Sequence, residues 1–175
     1  MPTLIFMRHA KSSWDDPSLD DFDRPLNDRG REAAPQMANW YIQQGLVPDA
    51  VLCSASTRTR ETLGLMLETW QNKAKQNGAA PEVAYEELLY HASPDMLIAA
   101  AASEPDAETV MVLAHNPSLE SLANRFCQEL GVDRSGSLWV DHMPTASAFI
   151  VEGEWQNDSF AAKQAVAFVQ PRNLG

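Results

Sequence analysis

The sequence has little cysteine, few basic residues and no long apolar run. Its 175 residues include only two cysteines, Cys53 and Cys127, which cannot make a disulfide framework. Neither cysteine lies in a metal-ligand pair, so a reducing, cytoplasmic setting is the default expectation. No stretch approaches the ~18 apolar residues that a transmembrane helix requires. The short apolar run at 3–7 follows no basic leader, and it predicts a buried strand rather than a signal peptide.

Basic residues are outnumbered by acidic ones. The chain has 13 lysines and arginines against 24 aspartates and glutamates, a formal net charge of −11. This charge argues against nucleic acid or anionic membrane as a partner, because both would be repelled. It also makes any local basic cluster informative. A cationic pocket in an acidic protein attracts one small anion, while the rest of the surface repels extended polyanions.

The order of apolar segments predicts the fold class. The length and a hydrophobic fraction of 45% favour a single domain over residues 1–175. Short buried strands alternate with helical patterns, which predicts a three-layer α/β/α sandwich with a central, mostly parallel sheet. The predicted segments are strands at 3–7, 50–53, 109–114, 146–151 and 164–170, helices around 63–70 and 119–126, a polar loop at 75–81 and a turn at 152–159.

Capping residues predict where several helices begin. Asn27 is expected to cap a helix that runs to about residue 44. Pro35 lies inside that span and removes a backbone hydrogen bond, which predicts either a kink or a later start. Ser93-Pro94 is typical of a helix start, with a capping hydroxyl and proline in the first position. Asn116-Pro117 repeats this arrangement directly after a predicted strand.

Two histidines and two arginines follow the ends of three predicted strands. Arg8 and His9 follow the first strand, Arg58 opens the helix after 50–53, and His115 follows 109–114. Ligands of open parallel sheets bind beyond the carboxyl ends of strands, so these side chains are expected to meet in one crevice. Guanidinium groups bind phosphate oxygens, and a neutral imidazole attacks phosphorus. Each residue alone is more often structural, but together they predict a phosphate site with a histidine nucleophile and no metal or cofactor.

Four ordered motifs resemble the histidine phosphatase superfamily, which includes the phosphoglycerate mutases. They are Arg8-His9-Ala10-Lys11-Ser12, the segment 24–30 (Arg-Pro-Leu-Asn-Asp-Arg-Gly), Ser54-x-x-x-Arg58-x-x-x-Thr62 and Ala114-His115-Asn116-Pro117. The details are most similar to the short phosphohistidine phosphatases of the SixA type, over residue 3 to about residue 125. The resemblance implies the same fold without a large lid domain. It also implies that His9 is the phosphorylated nucleophile and that Arg8, Arg58 and His115 bind the phosphate.

A proton donor for the leaving group is harder to assign from the sequence. Larger relatives use a carboxyl group, and Glu87 is the nearest candidate in chain order, with Glu86 beside it. A surface position is an equal alternative for both. Five aspartates of the loop after His9 can also approach the site: Asp15, Asp16, Asp20, Asp21 and Asp23. A phosphoramidate substrate reduces the need for an acid, because imidazole departs far more easily than an alkoxide.

The chain length between motifs bears on the substrate. Only 24 residues separate Tyr90 from His115, and one predicted helix takes most of them. An open site suits a phosphorylated side chain of another protein better than a metabolite that must be enclosed. The predicted function is hydrolysis of phosphohistidine on a protein, as in signal transduction. The alternatives are a phosphatase of small phosphate esters with the same site and a non-catalytic phosphate-binding module.

Overall fold

Short aliphatic segments form a six-stranded central sheet with helices on both faces. The computed structural model describes residues 1–74, 80–157 and 159–174. In chain order the elements are β1 (Thr3–Arg8), α1 (Asp28–Gln44), β2 (Ala50–Ser54), α2 (Thr57–Ala74), β3 (Glu82–Glu86), α3 (Pro94–Ala102), β4 (Thr109–Ala114), α4 (Ser118–Glu129), β5 (Ala148–Gln156) and β6 (Ser159–Val169). Short 3₁₀ turns occupy Asp21–Asp23, Glu87–Leu89 and Pro171–Asn173.

The sheet is mostly parallel, as predicted. Its strand order is β3-β2-β4-β1-β5-β6. The first four strands pair in parallel, and β5 and β6 pair antiparallel at one edge. Strands β2, β4 and β1 are neighbours, so their carboxyl ends lie side by side. The topology therefore places the segments that follow Ser54, Ala114 and Arg8 at one edge of the sheet.

Alternating side chains of the strands form a core on each face of the sheet. In β1, Leu4 and Phe6 pack with the apolar residues of α3 and α4. Ile5 and Met7 point to the opposite face and pack with those of α1 and α2. All four side chains are fully buried. Helices on both faces of a parallel sheet give the predicted three-layer arrangement, because neither face of such a sheet is left to solvent.

Helix α1 begins directly after its predicted cap. The Asn27 side chain accepts a hydrogen bond from the Gly30 backbone N–H at 2.9 Å, which confirms the capping role. The alternative of a later start is wrong, because the helix begins at Asp28 and continues through Pro35 to Gln44. Proline costs this helix one backbone bond without ending it, and packing of its apolar face against the sheet offsets that loss.

The two later helix starts differ from each other. Ser93 caps α3 with its side chain, and Pro94 occupies the first turn, as predicted. The same prediction for Asn116-Pro117 is wrong, since α4 begins only at Ser118 and no side chain caps it. The Asn116 amide instead donates to Glu120 and to the Met143 carbonyl. Tertiary partners therefore outcompete the local cap at this position.

The predicted boundaries of the last hairpin are wrong. Residues 152–156 continue β5, and β6 begins at Ser159, so both strands are longer than expected. Gly153 marks a register irregularity inside the hairpin rather than a turn. At the other end, Ala146 has a φ of 61°, which lies outside the extended region and keeps it out of β5. Glycine and asparagine are ambiguous signals because bulges and turns both favour them.

One predicted loop and the possibility of a membrane-spanning helix were also compared with the structure. The predicted polar loop at 75–81 lies mostly outside the described residues. Within the ranges that are described, no helix is both long and apolar enough to cross a bilayer.

Candidate active site

Four predicted side chains meet beyond the carboxyl ends of β1, β2 and β4. The Arg58 Nε donates toward His9 Nε2 at 3.3 Å, and its Nη2 lies 3.4 Å from His115 Nδ1. The two imidazole rings have centroids 5.2 Å apart. Arg8 lines the same cavity as these three residues. The parallel pairing of β1 with β4 explains the convergence, because it places Arg8 opposite Ala114, the residue before His115.

The His9 ring is held in one tautomer. Its Nδ1 lies 2.7 Å from the Ala10 carbonyl oxygen, which only accepts, so Nδ1 carries the proton. The lone pair is therefore on Nε2, the atom that faces Arg58. Burial is the main cause that lowers the pKa of His9 to about 3, and the nearby Arg58 and Arg8 act in the same direction. The imidazole is thus neutral near pH 7 and has a nucleophilic nitrogen directed into the cavity.

A threonine hydroxyl fixes the loop that holds His9. Thr62 Oγ1 accepts from the Ala10 backbone N–H at 3.0 Å and donates to the Arg58 carbonyl at 2.7 Å. The hydroxyl is fully buried. One side chain of α2 therefore positions Ala10, the residue whose carbonyl oxygen sets the His9 tautomer. This explains in physical terms why arginine and threonine occur four residues apart on the same helix face.

His115 is also held in one orientation. Its Nε2 lies 2.8 Å from Ser54 Oγ, the last residue of β2. Arg58 is only a donor, so Nδ1 accepts from it and Nε2 carries the proton that goes to Ser54. Burial lowers the pKa of His115 to about 3, and the nearby His9 and Arg58 contribute in the same direction. Both imidazoles are consequently uncharged near pH 7.

Arg8 is anchored on one side and open on the other. Its Nη1 donates to the Met143 carbonyl at 2.9 Å. The Glu120 carboxylate holds that segment by accepting from the Met143 N–H at 2.8 Å. The buried Nε of Arg8 has no hydrogen-bond partner among the described residues. A buried N–H without a partner is costly, and an anion in the cavity can supply the acceptor.

The loop between β1 and α1 contributes an arginine that the sequence motifs contained but that received no role. Arg24 donates to Asp21 at 2.7 Å, to Ser12 Oγ at 2.7 Å and to the Ser13 carbonyl at 2.9 Å. Its guanidinium lies over the Trp14 ring, 3.2 Å from the centroid. The signal available in the sequence was its position directly before the motif residues 25–27.

Asp21 is the carboxylate that the loop brings into this cluster. Its Oδ2 accepts from Arg58 Nη2 at 2.9 Å and from the Tyr90 hydroxyl at 2.5 Å, and its Oδ1 accepts from Arg24. Its backbone carbonyl accepts from Arg58 Nη1 at 2.5 Å. The Tyr90 hydroxyl, with Arg24 and Arg58, holds the pKa of Asp21 well below its usual range. The sequence had singled it out only as one aspartate of a five-aspartate loop.

These residues surround a cavity of about 340 Å³. Its described lining consists of Arg8, His9, Lys11, Ser12, Trp14, Asp21, Arg24, Arg58, His115, Asn116 and Thr145. Four permanent cations and one carboxylate give it a positive balance in an acidic protein. A larger cavity, about 980 Å³, lies at the opposite ends of the strands. The described lining of that second cavity includes four carboxylates and one lysine, and it repels a dianion.

Glu87, the predicted candidate acid, lies apart from these groups. It is exposed on the 3₁₀ turn after β3 and does not appear in the described lining of the smaller cavity. Its backbone carbonyl accepts from the Tyr90 N–H at 3.0 Å, and this is its link to the site. A role for Glu87 as proton donor stays a prediction.

The fold and the cavity define an α/β protein with a histidine directed into a cationic cavity. Comparison with protein families gives this class a name. The model of the histidine phosphatase superfamily, branch 1, matches residues 4–96. An uncharacterized chloroplast protein of Arabidopsis thaliana is 30% identical over 190 residues, which cover 95% of this chain and 80% of that protein. An uncharacterized protein of Mycobacterium tuberculosis is 31% identical over 170 residues, which cover 95% and 100% of the two chains. The chain belongs to the histidine phosphatase superfamily.

Solved structures agree with this assignment at the level of the fold. One is a Nakamurella multipartitia protein that has been assigned as the phosphohistidine phosphatase SixA. It has a TM-score of 0.70 and 26% identity, over 97% of each chain. A protein histidine phosphatase SixA complexed with tungstate has a TM-score of 0.72 and 21% identity, over 99% of each chain. The predicted compact fold of the SixA-like branch is therefore confirmed.

Proposed function

We propose that this protein hydrolyses phosphohistidine on a protein substrate through a covalent phosphohistidine at His9. The observation that carries the proposal is the neutral His9 ring, with Nδ1 bound to the Ala10 carbonyl and Nε2 facing the arginine-lined cavity. The likeness to SixA structures supports the choice of substrate class, although it demonstrates only the fold. The site geometry supports a nucleophile, and the described residues between β3 and β4 add only a 3₁₀ turn and α3.

In the first step the Nε2 lone pair of His9 attacks phosphorus. The bond from phosphorus to the substrate's ring nitrogen breaks, and its electron pair stays on that ring. Arg8 and Arg58 stabilise the charge on the phosphoryl oxygens as it shifts in the transition state. The bound dianion also favours protonation of His115, because a nearby negative charge raises the pKa of an imidazole. His115 Nδ1 then becomes a donor to the phosphoryl group.

In the second step water attacks the phosphorus of phosphorylated His9. The bond between phosphorus and Nε2 breaks, and the water oxygen with its two protons becomes part of dihydrogen phosphate. His9 returns to the neutral tautomer with its proton on Nδ1. No net proton transfer to or from the ring is required, since Ala10 holds the Nδ1–H throughout. An open cavity admits the water once the substrate protein dissociates.

The test uses a phosphorylated histidine-containing carrier domain as substrate. Wild-type protein is expected to release phosphate from it and to form an acid-labile phosphoenzyme that rapid quenching traps. His9→Ala is expected to lose turnover by at least ~10³-fold, because nucleophile removal abolishes the covalent route. His91→Ala removes an exposed histidine and serves as the matched control. Comparable turnover by His9→Ala would disprove the mechanism.

A second candidate is a phosphatase of small phosphate esters. The cavity of about 340 Å³ favours it, because this volume is at the lower end of the range that small-ligand sites occupy. A comparison of kcat/KM for sugar phosphates and for the phosphohistidine domain distinguishes the two candidates. A preference for the ester of tenfold or more, ~1.4 kcal/mol in transition-state binding, would reverse the order of the proposals.

The third alternative is a phosphate-binding module without catalysis. It predicts anion binding with no phosphoenzyme and no turnover of either substrate class.

A reducing, cytoplasmic setting is also part of the proposal, and it agrees with two cysteines that are free and buried. Partner identity and oligomeric state follow from pull-down and sedimentation with the phosphorylated carrier domain.

A further inference from the structure

Asp21 combines three bonds within the site with access to the substrate. Its side chain is 51% exposed, whereas His9 lies at the cavity floor with 6% of its surface exposed. A carboxylate has about four acceptor positions, and Arg24, Arg58 and Tyr90 occupy three of them. Among the described residues Oδ1 has one donor, Arg24, so the remaining acceptor position is on this oxygen. Asp21 therefore keeps one acceptor for a group that enters the cavity mouth.

The position of Asp21 is on the side from which a leaving group departs. In-line displacement places the leaving atom opposite the attacking Nε2 of His9. His9 is nearly buried, whereas Asp21 lines the same cavity with half of its side chain exposed, so Asp21 lies toward solvent, the side to which a leaving group must depart. The Tyr90 hydroxyl and the two arginines keep the carboxylate ionised, and an ionised carboxylate cannot donate a proton to an ester oxygen. The ionised Asp21 carboxylate can only accept a proton or a hydrogen bond.

An imidazole leaving group has a requirement that this acceptor meets. A ring phosphorylated on one nitrogen departs as neutral imidazole only when its other nitrogen carries a proton. Without that proton it departs as imidazolate, which is a far poorer leaving group. A carboxylate beside the second nitrogen stabilises the protonated ring, because a charge-assisted hydrogen bond to an ionised acceptor is about twice as strong as a neutral one.

We propose that Asp21 is the specificity-determining residue of the site and that it accepts a hydrogen bond from the distal N–H of a phosphorylated imidazole. This proposal rests on the proposed function and specifies the form of its substrate. The site selects the N-protonated phosphoimidazole over phosphate esters, whose leaving oxygen gains nothing from an acceptor. Asp21 also repels esters that carry a carboxylate next to the phosphate.

The geometry then makes the transfer nearly symmetric. His9 enters with its Nδ1–H bound to the Ala10 carbonyl, and the substrate ring enters with its distal N–H bound to Asp21. The phosphoryl group passes from one protonated ring to the other. The substrate leaves as neutral imidazole with one N–H, and His9 becomes the protonated phosphoimidazole. Atoms and charges balance without a general acid, so the exposed position of Glu87 presents no difficulty.

The experiment compares phosphoimidazole with p-nitrophenyl phosphate, an ester whose leaving group needs no proton. For Asp21→Asn we expect the ratio of kcat/KM, phosphoimidazole over ester, to fall about tenfold or more, as for loss of a hydrogen bond to a charged group. Asp23→Asn makes the same charge change two residues away, on an exposed side chain outside the described cavity lining. We expect this control to keep the wild-type ratio.

A purely structural role gives a different result. If Asp21 only orients Arg58, Asp21→Asn lowers both activities alike and the ratio stays constant, which would overturn the proposal. The pH profile supplies a second readout. With phosphoimidazole, kcat falls as pH rises through loss of the distal proton, and we expect Asp21→Asn to move this fall to lower pH. The ester profile has no such shift.

A measurement on wild-type protein alone guards against a variant that fails to fold. Phosphoimidazole methylated on its distal nitrogen has a permanently cationic ring, which departs as neutral methylimidazole but offers no N–H. We expect its kcat/KM, corrected for uncatalysed reactivity, to be about tenfold below that of phosphoimidazole. Equal values would refute the hydrogen bond to Asp21. Turnover of the ester without any turnover of phosphoimidazole or the carrier domain would instead refute the proposed function.

Discussion

At the scale of single residues, the site depends on neutral imidazoles that are each held in one tautomer. The Ala10 carbonyl fixes His9, and Ser54 fixes His115. Neither partner acts on a substrate, yet each decides which ring nitrogen faces the cavity. The lone pair of His9 Nε2 is available only because the proton is retained on Nδ1. Residues behind the histidines are therefore expected to affect catalysis as strongly as some that line the cavity.

Thr62 provides a test of this view. Thr62→Val keeps the shape of the side chain and removes the hydroxyl that joins Ala10 to Arg58. We expect kcat to fall roughly tenfold and the free energy of unfolding to fall by about 1–3 kcal/mol, because a buried N–H loses its acceptor. The measurements are steady-state kinetics and denaturant unfolding.

The control for Thr62 lies on the same helix. Thr69 Oγ1 donates to the carbonyl four residues earlier, at 2.9 Å, just as Thr62 does. Within the described residues no hydrogen bond joins Thr69 to the His9 loop, so Thr69→Val is expected to keep the wild-type kcat. An equal loss of kcat in both variants would show that Thr62 acts through the helix rather than through Ala10.

The buried histidines predict a pH dependence of stability. Their pKa values of about 3 lie below the ordinary histidine value of 6.5, so the unfolded chain binds more protons between these limits. The stabilisation is complete above 6.5 and is lost as pH falls. Each histidine is expected to remove ~1.4 kcal/mol per pH unit well below 6.5.

The measurement is the free energy of unfolding between pH 7 and pH 5. Asp21 does not interfere, because its pKa is lowered from 3.8 and its contribution is lost only at more acidic pH. In a variant with His9→Asn and His115→Asn, the fall in the free energy of unfolding from pH 7 to pH 5 is expected to be shallower than in the wild type. An unchanged slope would show that both imidazoles titrate in the folded protein as they do in the unfolded chain.

At the scale of elements, the site requires that the loop after β1 pass directly over the first turn of α1. A Cβ at Gly30 would lie 2.2 Å from the Lys11 carbonyl oxygen. The same carbonyl accepts from the Asn27 N–H at 3.0 Å. Helix and loop are thus in backbone contact, and only glycine leaves room for it. This explains why Gly30 follows the Asn27 cap by three residues.

Two glycine substitutions in helices are expected to have opposite effects. Gly30→Ala should destabilise the protein by more than ~1 kcal/mol and lower activity, because the clash involves backbone that cannot move freely. Gly64 in α2 is exposed, with no neighbour within 4 Å of an added Cβ. Gly64→Ala should stabilise by about 0.5–1 kcal/mol. Thermal unfolding measures both, and a neutral Gly30→Ala would contradict the backbone contact.

At the scale of the whole molecule, an acidic protein concentrates several of its 13 basic residues in one cavity. Arg8, Lys11, Arg24 and Arg58 line it, while the net charge is −11. The positive field is therefore local, and it falls off within about a Debye length, ~10 Å at 0.1 M salt. Compact tetrahedral anions are expected to bind, whereas extended polyanions meet the acidic surface and are repelled.

Tungstate tests this charge distribution. At a hundredfold excess over its Kd it should stabilise the protein by ~2.7 kcal/mol and raise Tm by about 5–10 °C. Arg58→Gln is expected to lose most of this shift. Arg125→Gln makes the same charge change at a surface ion pair with Asp95, and this variant should keep the tungstate-induced shift in Tm. A shift that survives in Arg58→Gln would place the anion elsewhere.

Local signals in the sequence determined the positions of the candidate catalytic residues along the fold. Strand ends at Met7, Cys53 and Ala114 could be predicted from short apolar runs, and parallel pairing then brings the residues that follow them to one edge of the sheet. Asn27 and Ser93 are caps whose bonds close within one helical turn, so no distant partner alters them. The prediction failed where two local structures share a signal, as at Asn116 and in the hairpin around Gly153.

Tertiary structure alone decided which groups complete the site. The roles of Asp21 and Arg24 depend on how one loop lies against α1, α2 and Tyr90, and that path is set by contacts such as Gly30 with Lys11. Composition cannot select one aspartate among five, because the selection is made by donors that are 3, 37 and 69 positions away along the chain. A hydrogen bond is decided by distance and direction in space, and sequence separation determines neither.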